Sequence, residues 1–330
     1  MIPSVFAIGG AIVDNVVDAD GAVTLELLGG NALYAAAGAR IFAPRAGAVA
    51  RVPGDYPLAR AQAALGASLD LAGLRVETAA SATPEWFFHA GDGSRRDHLH
   101  GPSSLLATHG SPLDRLSPVQ AAALIAVLEA RADRQDGYSA FRARHPVRPE
   151  DVPAAWWGAR GVHLCANAVP EMIACARAAR AAGLCVTLDP GFRAAELGAA
   201  DLAALLDLVD AFLPSAKELA VLRPGLPDEA ALASLGAGRR CMVGVKRGAA
   251  GALLRLPGDG ALHAIAALPA TARDPVGAGD AFCGAFLTAL ADAAGAQEAL
   301  RRAVAAGARA VESSGVGGLL ASITTRRSAP

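Results

Sequence analysis

From Arg160 to the end of the chain, short apolar runs alternate with longer helix-patterned stretches, and glycine, proline or aspartate marks most junctions. Val162 to Cys165, Cys185 to Leu188, Ala211 to Leu213 and Cys241 to Lys246 are too short to be helices, and mostly apolar as buried strands are. Between them Pro170 to Ala182, Asp201 to Val209, Ser215 to Leu222 and Asp228 to Leu235 read as helices, the first closed by Gly183. A strand that is apolar on both faces and is followed by a helix returns parallel to its predecessor, with helices covering the sheet above and below. The pattern therefore predicts an α/β fold with a mostly parallel central sheet. Right-handed crossovers gather the strand C-terminal ends along one edge, where ligands bind. Asp189, Ser215 and Lys246 fall at or just after such ends.

The N-terminal part begins the same way. Val5 to Gly10 is a short buried strand meeting a turn, with Asp14 just past its end. Val23 to Leu28 partly alternates, and Gly29-Gly30-Asn31 opens an alanine-rich helix to about Phe42, with Pro44 as a stop. Glu85 to His89 and Arg95 to Leu99 flank Gly91-Asp92-Gly93 and read as a hairpin. Pro118 to Arg131 reads as a helix, and the polar, proline-bearing stretch after it makes residues 111–155 an expected surface insertion in a single domain spanning 1–330. After Lys246 come a turn at Gly248 to Gly251, a strand at Ala252 to Arg255, and helices near Gly279 to Ala293 and Gln297 to Ser313.

Composition removes several function classes. With 53% hydrophobic and 18% charged residues the chain can bury a large core, and a net charge of -1 gives no footprint for nucleic acid or an anionic membrane. No window of about 18 residues is free of charge, and no basic region precedes an apolar stretch near Met1. The five cysteines form no CxxC pair, which fits a reduced, cytoplasmic compartment better than a disulfide framework or a zinc site. Basic charge is almost wholly arginine; Lys217 and Lys246 are the only lysines.

The sharpest chemical signal is Asp274-Pro275-Val276-Gly277-Ala278-Gly279-Asp280-Ala281-Phe282. Small residues at Gly277, Ala278 and Gly279 let the backbone turn tightly and present successive N–H groups at a helix start, where an anionic phosphoryl group can be held. Asp280, in the first helical turn, can take a proton from an attacking hydroxyl while those amides stabilise the transferring charge. Taken alone, the string is equally an ordinary turn before an amphipathic helix whose Phe282, Phe286 and Leu290 face the core. Asp14 is either strand-end punctuation or, with Gly29 and Gly30, a pocket floor for hydroxyls. Glu218 is either a solvated helix charge or a residue near a metal. Arg193 reads equally as an anion contact or a surface ion pair. Trp156-Trp157 reads as an anchor to the core, and His98, His100 and His109 lack the partners of a metal set.

The string from Asp274 to Phe282 closely resembles the C-terminal signature of the ribokinase/PfkB carbohydrate kinases, Asp-Thr-x-Gly-Ala-Gly-Asp-x-Phe. Five further segments resemble that family in order: the strand with Gly9, Gly10 and Asp14; Gly29-Gly30 with the alanine-rich helix; Asp189-Pro190-Gly191-Phe192-Arg193; Pro214-Ser215-Ala216-Lys217-Glu218-Leu219; and Val245-Lys246-Arg247-Gly248 with Gly251. The resemblance implies a ribokinase-like three-layer α/β/α sandwich with a small β lid from about residues 12–28 and 84–100. It implies an ATP-dependent phosphotransferase acting on an alcohol of a sugar-like molecule, with Mg²⁺ as the accompanying metal. By the same resemblance Asp280 is the base and Gly277, Ala278 and Gly279 the anion hole. Asp14, Gly29, Gly30, Asn31 and Tyr34 bind the acceptor, Lys246, Arg247, Gly248, Gly251 and Asp274 serve ATP, and Glu218 stands near the metal. Tyr34 replaces an asparagine of the ribokinases, Ser215 an asparagine that helps position Mg²⁺, and Pro275 a threonine. A sugar- or nucleotide-binding regulator, and a kinase of a nucleoside or vitamin-type alcohol, are the alternatives. Trp86-Phe87-Phe88 offers an apolar face that would either pair two copies of the chain or close over substrate.

Overall fold

Strand β1, Val5–Gly10, is buried along its whole length, and its side chains divide between two cores. Val5 and Ala7 face one cluster of buried residues, Phe6 and Ile8 another. A strand with this pattern can only sit in the middle of a sheet covered on both sides. In the computed structural model, which describes residues 2–17, 23–89, 95–98, 117, 119 and 137–327, it does so.

The large sheet has nine strands: β1, β4 (Ala46–Pro53), β5 (Leu69–Glu77), β8 (Gly161–Leu164), β9 (Cys185–Leu188), β10 (Ala211–Phe212), β11 (Met242–Lys246), β12 (Ala252–Arg255) and β13 (Leu262–Ile265). Their order is β13-β12-β11-β10-β9-β8-β1-β4-β5. Strands from β11 across to β5 pair parallel, and β12 and β13 add an antiparallel edge. The chain runs outward one way through β1, β4 and β5, and the other way from β8 to β11. Strand order therefore reverses between β1 and β8, and the C-terminal ends of those two strands open a crevice.

A second, four-stranded sheet has the order β3-β2-β6-β7, from β2 (Ile12–Val17), β3 (Val23–Gly29), β6 (Glu85–His89) and β7 (Arg95–His98). Strands β6 and β7 form the expected antiparallel hairpin, while its turn at Gly91-Asp92-Gly93 lies outside the described residues. A register shift between Asp14 and Val16 marks a bulge in β2. Trp86 and Phe87 are buried, so neither supplies the exposed apolar face the sequence suggested.

Helices α1 (Asn31–Arg40), α2 (Leu58–Leu65), α3 (Tyr138–Arg144), α4 (Val169–Ala181), α5 (Ala199–Leu208), α6 (Ala216–Leu222), α7 (Asp228–Gly236), α8 (Ala278–Ala291), α9 (Ala296–Val311) and α10 (Gly315–Arg327) complete the described elements. The alanine richness of α1 now has a cause: it lies against α8 at backbone contact. A Cβ at Gly284 would stand 1.8 Å from the Ala35 carbonyl oxygen, and one at Gly38 would stand 2.1 Å from that of Ala281. Only glycine and alanine let two helices approach so closely.

Some expectations need correction. The described part of 111–155 is no surface insertion: Tyr138, Phe141, Val147, Asp151 and Val152 are buried, and Arg51 of β4 holds the Asp151 carboxylate with two nitrogens at 2.8 and 2.9 Å. The helix expected at Pro118 to Arg131 falls almost wholly outside the described residues. Trp156 does anchor its segment, packing on Phe6 at 5.6 Å between ring centroids and over Gly47. Strands β4, β5 and β13 and helices α2 and α10 were not legible. In β4 the run Ala-Gly-Ala-Val-Ala lacks the branched and aromatic side chains that mark a strand.

Candidate active site

The crevice between β1 and β8 is where the sequence's separate signals meet. Helix α8 begins beside it, with Gly277 as its N-cap in the left-handed conformation at φ 75°. A Cβ on Gly277 would lie 2.1–2.3 Å from the ring atoms of Tyr34, so both backbone conformation and space demand glycine there. Tyr34 is buried. Its ring thus packs on Gly277 and shapes the turn that opens α8. The physical reason is helical spacing: Tyr34 lies one turn after Asn31 and faces α8. Asp274, expected on the nucleotide, is buried and accepts the Val276 N–H at 2.9 Å, which closes the loop leading into the turn.

Asp280 sits in the first turn of α8, half-buried at the crevice. Burial pushes its carboxyl up to about 7, Asp189 and Glu218 push the same way, and Lys246 and Arg142 pull against them. A carboxyl that titrates near neutrality is suited to accept and release a proton.

Below it lies a charged cluster. Lys246, at the end of β11, is turned inward; its Nζ forms an ion pair with Asp189 and lies 3.6 Å from the Cys283 sulfur. Burial lowers the Lys246 ammonium, but Asp189, Cys283 and Glu218 together outweigh it and the group is held well above its usual value. The ammonium also stands under Gly279, 3.5 Å from where a Cβ would be. Lys246 is therefore part of the floor beneath the turn. Asp189 also accepts the Gly191 N–H at 3.1 Å, fixing the loop after β9.

Glu218 and Ser215 form a reciprocal cap at the start of α6: the Ser215 N–H donates to Glu218 Oε2 at 2.6 Å, and the Glu218 N–H to Ser215 Oγ at 3.4 Å. Serine at 215 thus has a local structural reason. Burial and then Asp189 raise the Glu218 carboxyl, while Lys246 lowers it. Among the described residues no group of three or more His, Cys, Asp or Glu could hold a metal by itself.

On the nucleotide side expected from the sequence, Gly248 is left-handed at φ 56° with open space where a side chain would go. Gly251 has a different reason for being glycine: a Cβ there would meet the Ile265 carbonyl at 1.9 Å. Arg247 Nη2 donates to Ala250 O at 3.3 Å, and its buried Nε finds no partner.

On the opposite side, Asn31 Oδ1 accepts the Gly10 N–H at 2.6 Å, and Gly30 at φ 105° lets the backbone pass against Gly10. The Asp14 carboxylate is buried against Gly29, where a Cβ would be 1.9 Å from Oδ2. Asp14, Gly29, Gly30 and Asn31 are therefore brought together as expected. Residues that sequence reasoning missed join them. Tyr56 and Tyr138 are buried, and burial, then neighbouring charge that includes Asp14, raises both phenols. The Tyr56 hydroxyl has no hydrogen-bond partner among the described residues. Arg142 of α3 lays its guanidinium against Gly10 and donates from Nη2 to Ala166 O at 2.5 Å. Phe192, exposed in the loop after β9, lies between Arg142, 5.7 Å from its ring centre, and Arg193, at 4.9 Å. No local pattern marks Tyr56, Tyr138 or Arg142, because each reaches the crevice through the crossover it sits on.

Comparison with known proteins adds three findings. Residues 160–322 match the family described as pfkB family carbohydrate kinase. No curated protein sequence matches the chain. Solved structures match over nearly its whole length. A provisionally named ribokinase II from E. coli in complex with ATP and Mg²⁺ aligns with a TM-score of 0.64, 22% identity and 98% of each chain covered. An aminoimidazole riboside kinase from Salmonella enterica, complexed with its riboside and an ATP analogue, aligns with a TM-score of 0.67 and 22% identity over 97% of this chain and 98% of that one. A Burkholderia thailandensis nucleoside kinase in complex with inosine aligns with a TM-score of 0.64 and 16% identity over 98% of this chain and 97% of that one. At these identities the likeness is one of fold. No helix among the described residues is long and apolar enough to cross a membrane.

Proposed function

The chain belongs to the ribokinase/PfkB family of carbohydrate kinases, and from that premise we propose that it transfers the γ-phosphoryl group of ATP to an alcohol of a sugar or nucleoside, with Asp280 as the base. The observation that carries this reading is the half-buried Asp280, its carboxyl pushed up to about 7, in the first turn of a helix capped by left-handed Gly277. The acceptor lies over Gly10, Gly29, Gly30 and Asn31, with Asp14 accepting from its hydroxyls. Asp280 takes the proton of the acceptor hydroxyl. The freed oxygen forms its bond to the γ-phosphorus as the bond to the bridging oxygen breaks, and ADP leaves. The amides of Gly277, Ala278 and Gly279 hold the charge on the transferring group throughout.

ATP lies on the Arg247 to Gly251 side, where Gly248 is open. Arg247 contributes there in place of Lys246, which is engaged by Asp189. The donor set suits a Mg²⁺ that arrives on the triphosphate: Asp189, Glu218 and Asp280 outnumber Lys246, so the cluster carries surplus negative charge, yet it forms no all-protein metal cage. Glu218 would hold the ion, through water, from the cap of α6. When bound, the metal neutralises phosphate charge and orients it for in-line transfer. The four-stranded sheet lies on the acceptor side through β2 and acts as a lid that keeps water from the γ-phosphate.

The test is ATP consumption by wild type and Asp280→Asn across a pool of sugars, sugar acids and nucleosides, with nucleotide binding measured on both. Acceptor-dependent turnover by wild type alone, with binding kept by both, is the expected result. Turnover in the variant would remove Asp280 from its role. Nucleotide binding without turnover on any acceptor would favour a regulator.

A further inference from the structure

Among the described residues, the Arg142 charge at the acceptor crevice is met by no ion pair. Arg142 approaches the crevice from α3, and its guanidinium lies directly on Gly10, where a Cβ would stand 2.8 Å from Cζ and Nε. Among the described residues its one hydrogen bond is Nη2 to Ala166 O. No carboxylate comes within ion-pair distance of it among the described residues; the acids that act on it electrostatically, Glu85 and Asp280, stand further off. Glu85 is engaged by Ser139 N and Oγ at 2.7 and 2.6 Å. Burial is the largest influence on Arg142 and lowers its guanidinium. A guanidinium so placed, with most of its donors facing the crevice, is costly unless something charged completes it.

Across the Phe192 ring stands Arg193. Its charge is already matched, because Nη1 holds both Glu196 oxygens at 2.6 and 2.8 Å. Its Nε is buried and finds no partner among the described residues, so it presents no donor to a ligand. Arg142 is thus the unpaired charge beside the exposed Phe192 ring among the described residues.

We infer that the acceptor is a sugar acid, with its carboxylate on the open donors of Arg142 and its polyol chain running toward Asn31 and Asp280. The fork of Arg142 matches a carboxylate in geometry, and with the Asp14 and Asp280 carboxylates in the same crevice a monoanion is tolerated better than a dianionic phosphate ester. A neutral sugar or nucleoside would leave the half-buried Arg142 charge without a counter-charge. This inference rests on the phosphotransfer reading above, and it specifies the class of alcohol that reading left open.

The test separates the two. Binding is measured by calorimetry on Asp280→Asn with MgADP present, using aldonic and 2-keto-aldonic acids, the matching neutral sugars, nucleosides and sugar phosphates. An acid should bind at least about 30-fold more tightly than its neutral counterpart, the range of a charge-assisted hydrogen-bond pair. Arg142→Met should remove that margin while leaving MgADP affinity unchanged. Arg142→Lys should restore only part of it. Because Arg142 also ties down Ala166, its variants are checked by Tm, and Arg142→Lys, which keeps the charge, serves as the folded control. Tighter binding of a neutral sugar, a nucleoside or a sugar phosphate overturns the inference, as does an Arg142→Met variant that keeps the preference for acid. Turnover by wild type is recorded separately: acid binding without any turnover would sink the phosphotransfer reading and leave the acid site standing.

Discussion

Replacing Asp280 with asparagine should make the protein more stable as it becomes inactive, and only in one pH range. Burial, and then Asp189, raises the Asp280 carboxyl from its ordinary value of 3.8 to about 7. Roughly three units at ~1.4 kcal/mol each set a ceiling of ~4 kcal/mol on the cost of keeping this group ionised in the native state. Asp280 keeps some contact with solvent, so we expect about half, ~2 kcal/mol. The sign follows from proton binding. The native state holds this proton more tightly than the unfolded chain does, so its contribution is fully present below about pH 4 and is lost as pH rises through about 7. Asparagine has no proton to lose. The stability difference, variant minus wild type, should therefore be small near pH 4, grow with pH and level off above about pH 7. Urea unfolding of both proteins from pH 5 to pH 8.5 reads it directly, and Tm should differ by about 4 °C at pH 8. A difference that does not change with pH, or a wild type more stable than Asp280→Asn at pH 8, would refute the placement of Asp280 as a desolvated acid.

The same carboxyl should shape activity: kcat/KM should fall about tenfold per unit below pH 7 as Asp280 is protonated, and a pH profile flat from 5.5 to 7.5 would contradict it. Lys246→Met removes the charge that holds Asp280 down and leaves Asp189 without its ion pair. It should move the acid limb upward and cost about 3 kcal/mol in urea unfolding, part of which a second change, Asp189→Asn, should return. Gly277→Ala forces a side chain into the Tyr34 ring at a left-handed position. It should cost about 2 kcal/mol and most of the turnover. Adding Tyr34→Ala should relieve the clash but restore neither rate nor stability, since the backbone strain remains and a buried ring is lost. Gly284→Ala drives α8 off the Ala35 carbonyl, 1.8 Å from the new Cβ, and should lower stability by about 3 kcal/mol by denaturant melt.

Much of the molecule was legible because its signals are local. The parallel sheet follows from short apolar runs spaced by helices, and the turn before α8 from three small residues and an acid. Gly30 followed by Asn31 marked the start of α1 correctly. Where local chemistry is weak, reading failed: β4 is made of alanine and glycine, and the segment around Tyr138 and Arg142 looked polar because its few buried residues stand among arginines. One signal for Lys246 was present, in that a chain built almost wholly with arginine keeps a lysine there. The compact ammonium fits a space under Gly279 that a guanidinium fork would overfill.

The sequence by itself determined the layers, the strand end that carries Asp189, and the helix start that carries Asp280, because period and turn chemistry act over a few neighbouring residues; Asp14, expected past a strand end, lies inside β2. Tertiary structure alone decided which side chains meet there. Tyr34 packs on Gly277, Lys246 pairs with Asp189 and Glu218 with Ser215, while Arg142 enters the crevice from a segment that promised only surface. These meetings depend on crossovers that bring residues distant in the chain into contact and on two helices touching through glycine and alanine. A pattern read along the chain holds spacing, but it does not hold the distance between two turns that fold onto each other.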